Sequence, residues 1–388
     1  MHFVQQKPPT GCEYSKACSL LRTRRYVASL LVYTEQKART MKNTIGNRIR
    51  KIQSSAEERS LWDKLLLGVY YPYRRVKEKF ESSGSSQVDK LYLRTRNLKR
   101  NLSGKDIKFV SIDQASIWTQ EWIKTFPRRY DLIIGVPRSG MFIASLVALK
   151  LGKGLTTPEL LQQGKYWHSS QVKEKLALDG PNHALLVDDS MDSGRSMSRA
   201  VDAIRASNSE IEISRASLIV RNESKGLVDL YYKVIAPPRA FEWNILHRKI
   251  ASHFGHGRLA VDLDGVLCAN CPVGTDEDEL AYLEWLPSAR PYLIPAFEID
   301  DIVTCRLEKY RQETEEWLRK HDVRYKKLHM WDVPEKSDRR GRFARHKIDT
   351  LLLIKPDMFW ESSWGQSQRI WDEIRVPTLC IDNMTLLS

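Results

Sequence analysis

Two short stretches of this chain put paired carboxylates where phosphate chemistry could use them. Residues 184–196 read ALLVDDSMDSGRS, and residues 258–267 read RLAVDLDGVL. In each, an apolar run of strand character ends in two nearby aspartates and a tight turn. The adjacent Asp188 and Asp189 could grip a ribose 2′,3′-diol or a hydrated Mg2+. The turn that follows, Asp192 to Ser196, opens a helix. Its backbone N–H groups, with the hydroxyls of Ser193 and Ser196, form a cradle suited to a phosphate. Gly194 lets the backbone come close. Asp262 and Asp264 stand two apart just after their strand. They can converge on one Mg2+-bound phosphate, one attacking phosphorus while the other shuttles a proton. Magnesium would offset the repulsion between anion and nucleophile. The plain alternative for either stretch is a strand–turn–helix with solvated acids.

The elements needed to position these groups are legible around them. Residues 131–136 (DLIIGV) read as a buried strand, and the apolar stretch from Gly140 continues as a helix. Residues 183–189 read as a strand, 196–207 as a helix and 212–220 as a third strand. Such alternation implies a mostly parallel sheet with helices on both faces, and ligands bind beyond the carboxyl ends of its strands. A basic, His-rich connector (246–257, with His247, His253 and His256 read as solvated) leads to a second unit. Its strands are RLAVDL, DDIVT (300–304) and PDMFWE (356–361), with a helix at 313–321. The expected fold class is therefore α/β: two doubly wound, Rossmann-like domains over 106–250 and 251–388, preceded by a basic, mainly helical region, 1–105. Helix-compatible stretches fill residues 20–80 of that region, and ESSGSSQ (81–87) is a polar break.

Composition excludes several classes. At 388 residues, with 42% hydrophobic and 28% charged residues, the chain has the make-up of a soluble globular protein. No stretch reaches the roughly 18–20 apolar residues of a membrane span, and the first residues lack a secretory core. Six scattered cysteines give no disulfide framework, which points to a reducing cytoplasm. Cys268 and Cys271 form a CxxC without a second ligand pair, so zinc is not expected. The charge is lopsided. Residues 1–105 hold 23 Lys and Arg against 8 Asp and Glu, whereas the remaining 283 carry 39 against 40. The basic region could meet an anionic partner such as nucleic acid or a lipid surface, join copies of the chain as a homo-oligomer, or serve as a solvated scaffold.

Ala184–Ser196 resembles the phosphoribosyl-pyrophosphate signature of type I phosphoribosyltransferases. GVPRSG (135–140) resembles that family's pyrophosphate loop, and the likeness extends over about 106–245. It implies Mg2+-dependent displacement of diphosphate from an anomeric carbon by a base nitrogen. Arg138, Ser139 and Gly140 would face the leaving diphosphate. Asp188 and Asp189 would take the diol and metal, and Ser193, Gly194, Arg195 and Ser196 the 5′-phosphate. The 6-oxopurine members carry an aspartate at the place of Asp192, implying a general base. LVDLYYKVIAPPRAFEWN (227–244) resembles the hood of xanthine–guanine members, so Phe241 or Trp243 would stack on a purine-like base unless both are core. Arg221 falls near the lysine that reads the exocyclic oxygen, and as an arginine it departs from the pattern. The family's mobile loop would fall within 152–180.

The second stretch resembles the haloacid dehalogenase superfamily of phosphatases. The resemblance makes Asp262 the nucleophile, Asp264 the acid/base and Thr304 a partner of the transferring phosphoryl. Lys347, with Lys355 as competitor, would be the family lysine, and Glu361 in FWESS would hold Mg2+. Only 39 residues separate Asp264 from Thr304, which leaves room for a small cap. The combined expectation is a bifunctional enzyme that forms a nucleoside monophosphate and hydrolyses a phosphomonoester, that product among the candidates. The alternative is a phosphoribosyl-pyrophosphate-sensing regulator with a basic nucleic-acid- or membrane-binding arm.

Overall fold

The computed structural model describes residues 86–388 apart from 103–106, 128–129, 169–180, 208–209, 248, 251–256, 276–278, 334–338 and 340. The helices expected in 20–80, His253, His256 and residues 169–180 of the expected mobile loop lie outside the described residues. The described chain runs α1 (Ser86–Leu102), β1 (Lys108–Val110), α2 (Ile112–Ile123), β2 (Leu132–Gly135), α3 (Gly140–Leu151), β3 (Gly154–Thr156), α4 (Pro158–Gln162), β4 (His183–Met191) and α5 (Arg195–Ser207). It continues with β5 (Glu212–Val220), β6 (Leu230–Val234), β7 (Arg239–Phe241), β8 (Leu259–Val261), α6 (Glu279–Ser288), β9 (Ile299–Leu307) and α7 (Arg311–Lys320). β10 (Tyr325–Trp331), α8 (Phe343–Ile354), β11 (Met358–Glu361), α9 (Trp364–Ile374), β12 (Thr378–Cys380) and β13 (Thr385–Leu387) complete it.

The strands form two doubly wound sheets. The first has the order β3-β2-β4-β5-β6, with every pairing parallel. The second has the order β10-β9-β8-β11-β12-β13, parallel except for β13. Helices cover both faces, so central strands are apolar on both sides: Leu132, Ile133 and Ile134 are all fully buried, as are Leu259, Ala260 and Val261. In each sheet the winding reverses direction at one place, between β2 and β4 in the first and between β8 and β11 in the second. Crevices open at such reversals. The paired acids of both motifs stand there.

A two-stranded parallel ribbon links the halves. β1 lies beside β7, with Phe109 opposite Ala240 and Val110 opposite Phe241. Because side chains alternate across a strand, the ribbon has two apolar faces. Val110 and Phe241 belong to the core of the first sheet with Ile133, Val147 and Leu185. Ile107, Phe109 and Ala240 belong to the core of the second, with Leu259, Ile302 and Trp360, and Ile245 and Ile250 follow them there.

α1 differs from the expectation that residues up to 105 form a separate basic region. Leu93 is fully buried in the second sheet's core with Val303, Ile348 and Phe359. Its charges are used locally. Lys90 pairs with Glu373, Asp89 with Lys355, and Arg96 donates to the carbonyl of Lys355 at the end of α8 and pairs with Asp357. Local charge balance marks this helix as basic, and only the long-range contact shows what the charges meet. Among the described residues no helix is long and apolar enough to cross a membrane.

The shared ribbon makes a testable statement about stability. Ala240→Asp would bury an unpaired carboxylate in a core contact, at a cost of several kcal/mol. We expect amide hydrogen exchange to accelerate together in β2–β4 and in β8–β11, rather than in one sheet alone.

Candidate active sites

The first site is a cavity of about 430 Å³ at the carboxyl ends of β2 and β4. Its wall comprises the loop Val136–Ser139, the run Asp188–Met197, and Pro237, Arg239, Phe241, Asn244 and His247. The two loops singled out in the sequence therefore face one space. Asp188 and Asp189 lie within β4 rather than beyond it, because the strand runs on to Met191. Gly140, the first residue of α3, is pressed against β4. A Cβ there would meet Asp188 Oδ1 and the Val187 carbonyl oxygen at 2.9 Å. This close approach brings the start of α3 to the acids. Ser139 precedes the helix but makes no cap; its Oγ donates to Asp189 Oδ1 at 2.8 Å.

The acids are nearly buried, at 8% and 3% exposure. Burial, with the neighbouring Asp189 carboxylate, raises Asp188 from the ordinary 3.8 to about 8. Ser193, Arg195 and Ser196 are exposed at the rim, and Gly194 adopts a left-handed φ of 76°. The side chains of the turn are open to a ligand.

Asp192 is half exposed and bonded to Arg239, whose Nη2 lies 2.7 Å from Asp192 Oδ1. Arg239 itself is 7% exposed, donates to the Met191 and Ile235 carbonyls, and sits over the Phe241 ring at 5.6 Å. The sequence reading missed it. A lone arginine between PP and an aromatic was the available signal. Of the two aromatic candidates, Phe241 forms part of the wall and Trp243 does not. The Trp243 ring stacks on Phe241 at 5.0 Å with 6° between planes, and its Nε1 donates to Asp189 Oδ2 at 2.8 Å. Arg221 caps the end of β5 outside the cavity wall and pairs with Glu223 at 3.5 Å. His247, read from the sequence as a linker residue, is in the wall.

The second group surrounds the end of β8. Asp262 follows the strand, its N–H donating to the Trp360 carbonyl at 2.9 Å. Gly265 turns the chain with φ of 81°, and a Cβ there would meet Ser362 Oγ at 2.5 Å. Lys347, on α8, places Nζ 2.7 Å from both Asp262 Oδ2 and Glu361 Oε2. All three are almost fully buried. Burial raises Asp262 to about 7 although Lys347 opposes it. Burial works to lower Lys347, but Asp262 and Glu361 outweigh it and hold the ammonium above the ordinary lysine value. Lys355 ends α8 and pairs with Asp89 instead.

Thr304 lies inside β9, not at its end, because the strand extends to Leu307. Its carbonyl accepts from His346 Nε2 at 3.1 Å. Thr304 and Arg306 lie where β9 shifts register against β10, and the Arg306 N–H donates to Thr304 Oγ1 at 3.1 Å. Arg306 is 1% exposed and grips Asp264 through Nη2 at 2.7 Å and Nε at 3.1 Å. It also lies over the Trp285 ring at 5.2 Å. The sequence reading did not single out Arg306, although an arginine inside an apolar run is a visible anomaly.

Among the described residues no group of three or more His, Cys, Asp or Glu could hold a metal ion by itself. Mg2+ does not require such a cage. It keeps several waters and takes one or two carboxylates together with phosphate oxygens. Asp188 with Asp189 at the first group, and Asp262 with Glu361 at the second, fit that demand.

Two measurements check these electrostatics. Between pH 3.8 and about 8 Asp188 holds its proton in the folded chain but loses it when unfolded. The stability this contributes is present at low pH and is lost as pH rises through that window. Asp188→Asn keeps the acceptor that receives the Asp189 N–H. It should raise the melting temperature at pH 8 by at least roughly 2–4 °C, the effect of about 1 kcal/mol in a chain of this size, with the gain shrinking toward pH 4. Lys347→Met leaves two buried carboxylates facing each other. We expect a loss of about 3–5 kcal/mol at neutral pH in urea denaturation.

Comparison with known proteins bears on the first group. No curated protein matches the chain. Similar solved structures include a purine phosphoribosyltransferase from Pyrococcus horikoshii Ot3 (19% identity, TM-score 0.27, covering 35% of this chain and 92% of that one). A Helicobacter pylori xanthine-guanine-hypoxanthine phosphoribosyltransferase shares 17% identity, with TM-score 0.29, covering 36% of this chain and 93% of that one. An orotate phosphoribosyltransferase from Aeropyrum pernix shares 21% identity, with TM-score 0.24, covering 31% and 69%. Residues 110–248 match the family described as phosphoribosyl transferase domain, which supports phosphoribosyltransferase-type chemistry for the segment that contains the cavity.

Proposed function

We propose that the chain is a bifunctional enzyme of phosphorylated metabolites: a phosphoribosyltransferase at the first group and a phosphomonoesterase at the second. The observation that carries the transferase reading is the single cavity walled by both phosphate loops, with Asp192 and Phe241 beside them. In this reading the N–H groups at the start of α3, with Arg138 and Ser139, receive the diphosphate of phosphoribosyl pyrophosphate. Asp188 and Asp189 grip the ribose diol, and the Ser193–Ser196 turn takes the 5′-phosphate. Phe241, stacked on Trp243 and with Arg239 over its ring, lines the space that would take a purine-like base. The base nitrogen attacks the anomeric carbon, the bond to diphosphate breaks, and the nitrogen's proton passes to Asp192. Arg239 holds that carboxylate by a hydrogen bond, so the Asp192–Arg239 pair offers an acceptor beside a donor. Positioning and charge neutralisation account for most of such catalysis.

At the second group Asp262 attacks phosphorus and the ester oxygen leaves with a proton from Asp264. Water then cleaves the aspartyl phosphate, regenerating the carboxylate and releasing phosphate. Lys347 and Glu361 sit against the nucleophile, and Thr304 lies on the neighbouring strand. This reading is supported by the convergence of Asp262, Lys347 and Glu361 at the reversal of the second sheet. Mg2+, held by Asp188 and Asp189 at the first group and by Asp262 and Glu361 at the second, would supply neutralisation of phosphate charge. A nucleoside monophosphate made by the first activity would be a chemically competent substrate for the second.

The test is a mass-spectrometric screen of bases with phosphoribosyl pyrophosphate and Mg2+, paired with phosphate release from nucleoside monophosphates. Asp189→Asn should abolish base-dependent consumption of phosphoribosyl pyrophosphate and spare phosphate release. Asp262→Asn should do the converse, leaving below about a thousandth of the wild-type phosphatase rate. Because Asp262 must be ionised to attack, phosphate release should climb with pH through about 7. Binding of phosphoribosyl pyrophosphate without turnover of any base would overturn the transferase reading and favour a sensor.

A further inference from the structure

The turn Glu242–Asn244 touches both phosphate loops of the cavity at once. Asp189 accepts one neutral donor on each oxygen: Ser139 Oγ on Oδ1 and Trp243 Nε1 on Oδ2, both at 2.8 Å. The next residue, Asn244, accepts through Oδ1 from Arg138 Nη2 at 2.5 Å. Two consecutive side chains thus hold an acid on β4 and a cation on the β2–α3 loop, groups that are 54 and 106 residues away in sequence. The turn is itself fixed. The Trp243 ring lies flat on Phe241 and against Phe142 at 5.7 Å. Glu242 accepts from the Ile112 N–H at 2.7 Å. Ile245, which follows, is buried in the core of the second sheet.

This geometry leaves little room for Trp243 to serve as a base platform. One face of its ring is taken by Phe241, and it is not in the cavity wall. What its indole does is orient a carboxylate. A carboxyl group can take more than the two hydrogen bonds from Ser139 and Trp243, which leaves Asp189 able to meet a hydroxyl of a ligand. Arg138 is exposed, and without Asn244 its guanidinium would sample many rotamers and lose that freedom on binding.

We propose that Trp243 and Asn244 are positioning residues for phosphoribosyl pyrophosphate: Trp243 sets Asp189 for the ribose diol, and Asn244 sets Arg138 for the diphosphate. The inference rests on the transferase reading of the cavity. It assigns the aromatic pair divided roles, with Phe241 in the cavity wall and Trp243 acting through Asp189. Preorganised groups held on rigid elements bind more tightly because less order is lost at the moment of binding.

The experiment uses the full chain with Trp243→Phe, which keeps the ring and removes the donor, and Asn244→Leu, which keeps the bulk and removes the acceptor. Probes are phosphoribosyl pyrophosphate, ribose 5-phosphate and inorganic diphosphate, each with Mg2+, by calorimetry, alongside steady-state constants for the base. Removing one hydrogen bond to a charged group should weaken phosphoribosyl pyrophosphate about tenfold or more in either variant. The KM for the base should hold, and kcat should fall by less than the affinity for phosphoribosyl pyrophosphate. The partial probes should separate: ribose 5-phosphate weakens in Trp243→Phe, and diphosphate weakens in Asn244→Leu. Equal shifts for all ligands would indicate a merely structural role and overturn the proposal. So would a change in the base constant alone for Trp243→Phe. Wild type that binds none of the three probes would overturn both the proposal and the reading beneath it. Wild-type binding with unshifted variants would overturn the proposal alone.

Discussion

Carboxylates crowded at the end of a buried strand repel one another and resist burial, and the molecule must hold them there. The two sheets meet this constraint differently. At the first, a proton settles on Asp188 and Asp189 is aligned by two uncharged donors. At the second, a cation is built in: Lys347 lies between Asp262 and Glu361, and Arg306 closes on Asp264. The first arrangement leaves its negative field to be satisfied by what enters. The second is close to neutral beforehand, because taking a charge out of water costs several kcal/mol unless a partner travels with it.

Both groups lie where the winding of their sheet reverses, so the fold determines where the chemistry can be. The connections leaving β2 and β4 run in opposite directions from their shared crevice, as do those leaving β8 and β11. The loops leaving those strands have only one concave place to go. Glycine then decides how near they approach, with Gly140 against β4 and Gly265 against Ser362.

The strands and turns of this architecture were legible in the sequence for a physical reason. A strand covered on both faces is a continuous apolar run, and a phosphate turn interrupts it with small polar residues at fixed offsets. Asp188, Asp189 and Asp262 could be found that way, whereas Lys347, on a helix, followed only from the family resemblance. Arg239 and Arg306 stood out as local anomalies, but their partners Asp192 and Asp264 are 47 and 42 residues distant and nothing local announces the pairing. The orientation of Trp243 was similarly hidden: an aromatic residue beside a cavity can present its face or its N–H, and only packing decides. Thr304 was placed on the right strand, but the strand's length was underestimated because the resembled motif ends its strand at the threonine, whereas β9 runs on to Leu307. α1 was grouped by charge with what precedes it, whereas Leu93 ties it to the second sheet.

The ribbon of β1 and β7 gives the molecule a particular ancestry problem. Fused proteins are commonly imagined as cassettes on a string, interchangeable because each folds in isolation. Here the strand that brings Arg239 and Phe241 to one cavity turns Ala240 toward the neighbouring sheet. Either half, transplanted to another protein, would arrive with a bare greasy surface that the other now covers. Modularity has been surrendered, because a substitution on one side of that strand is felt through its backbone by the half on the other side.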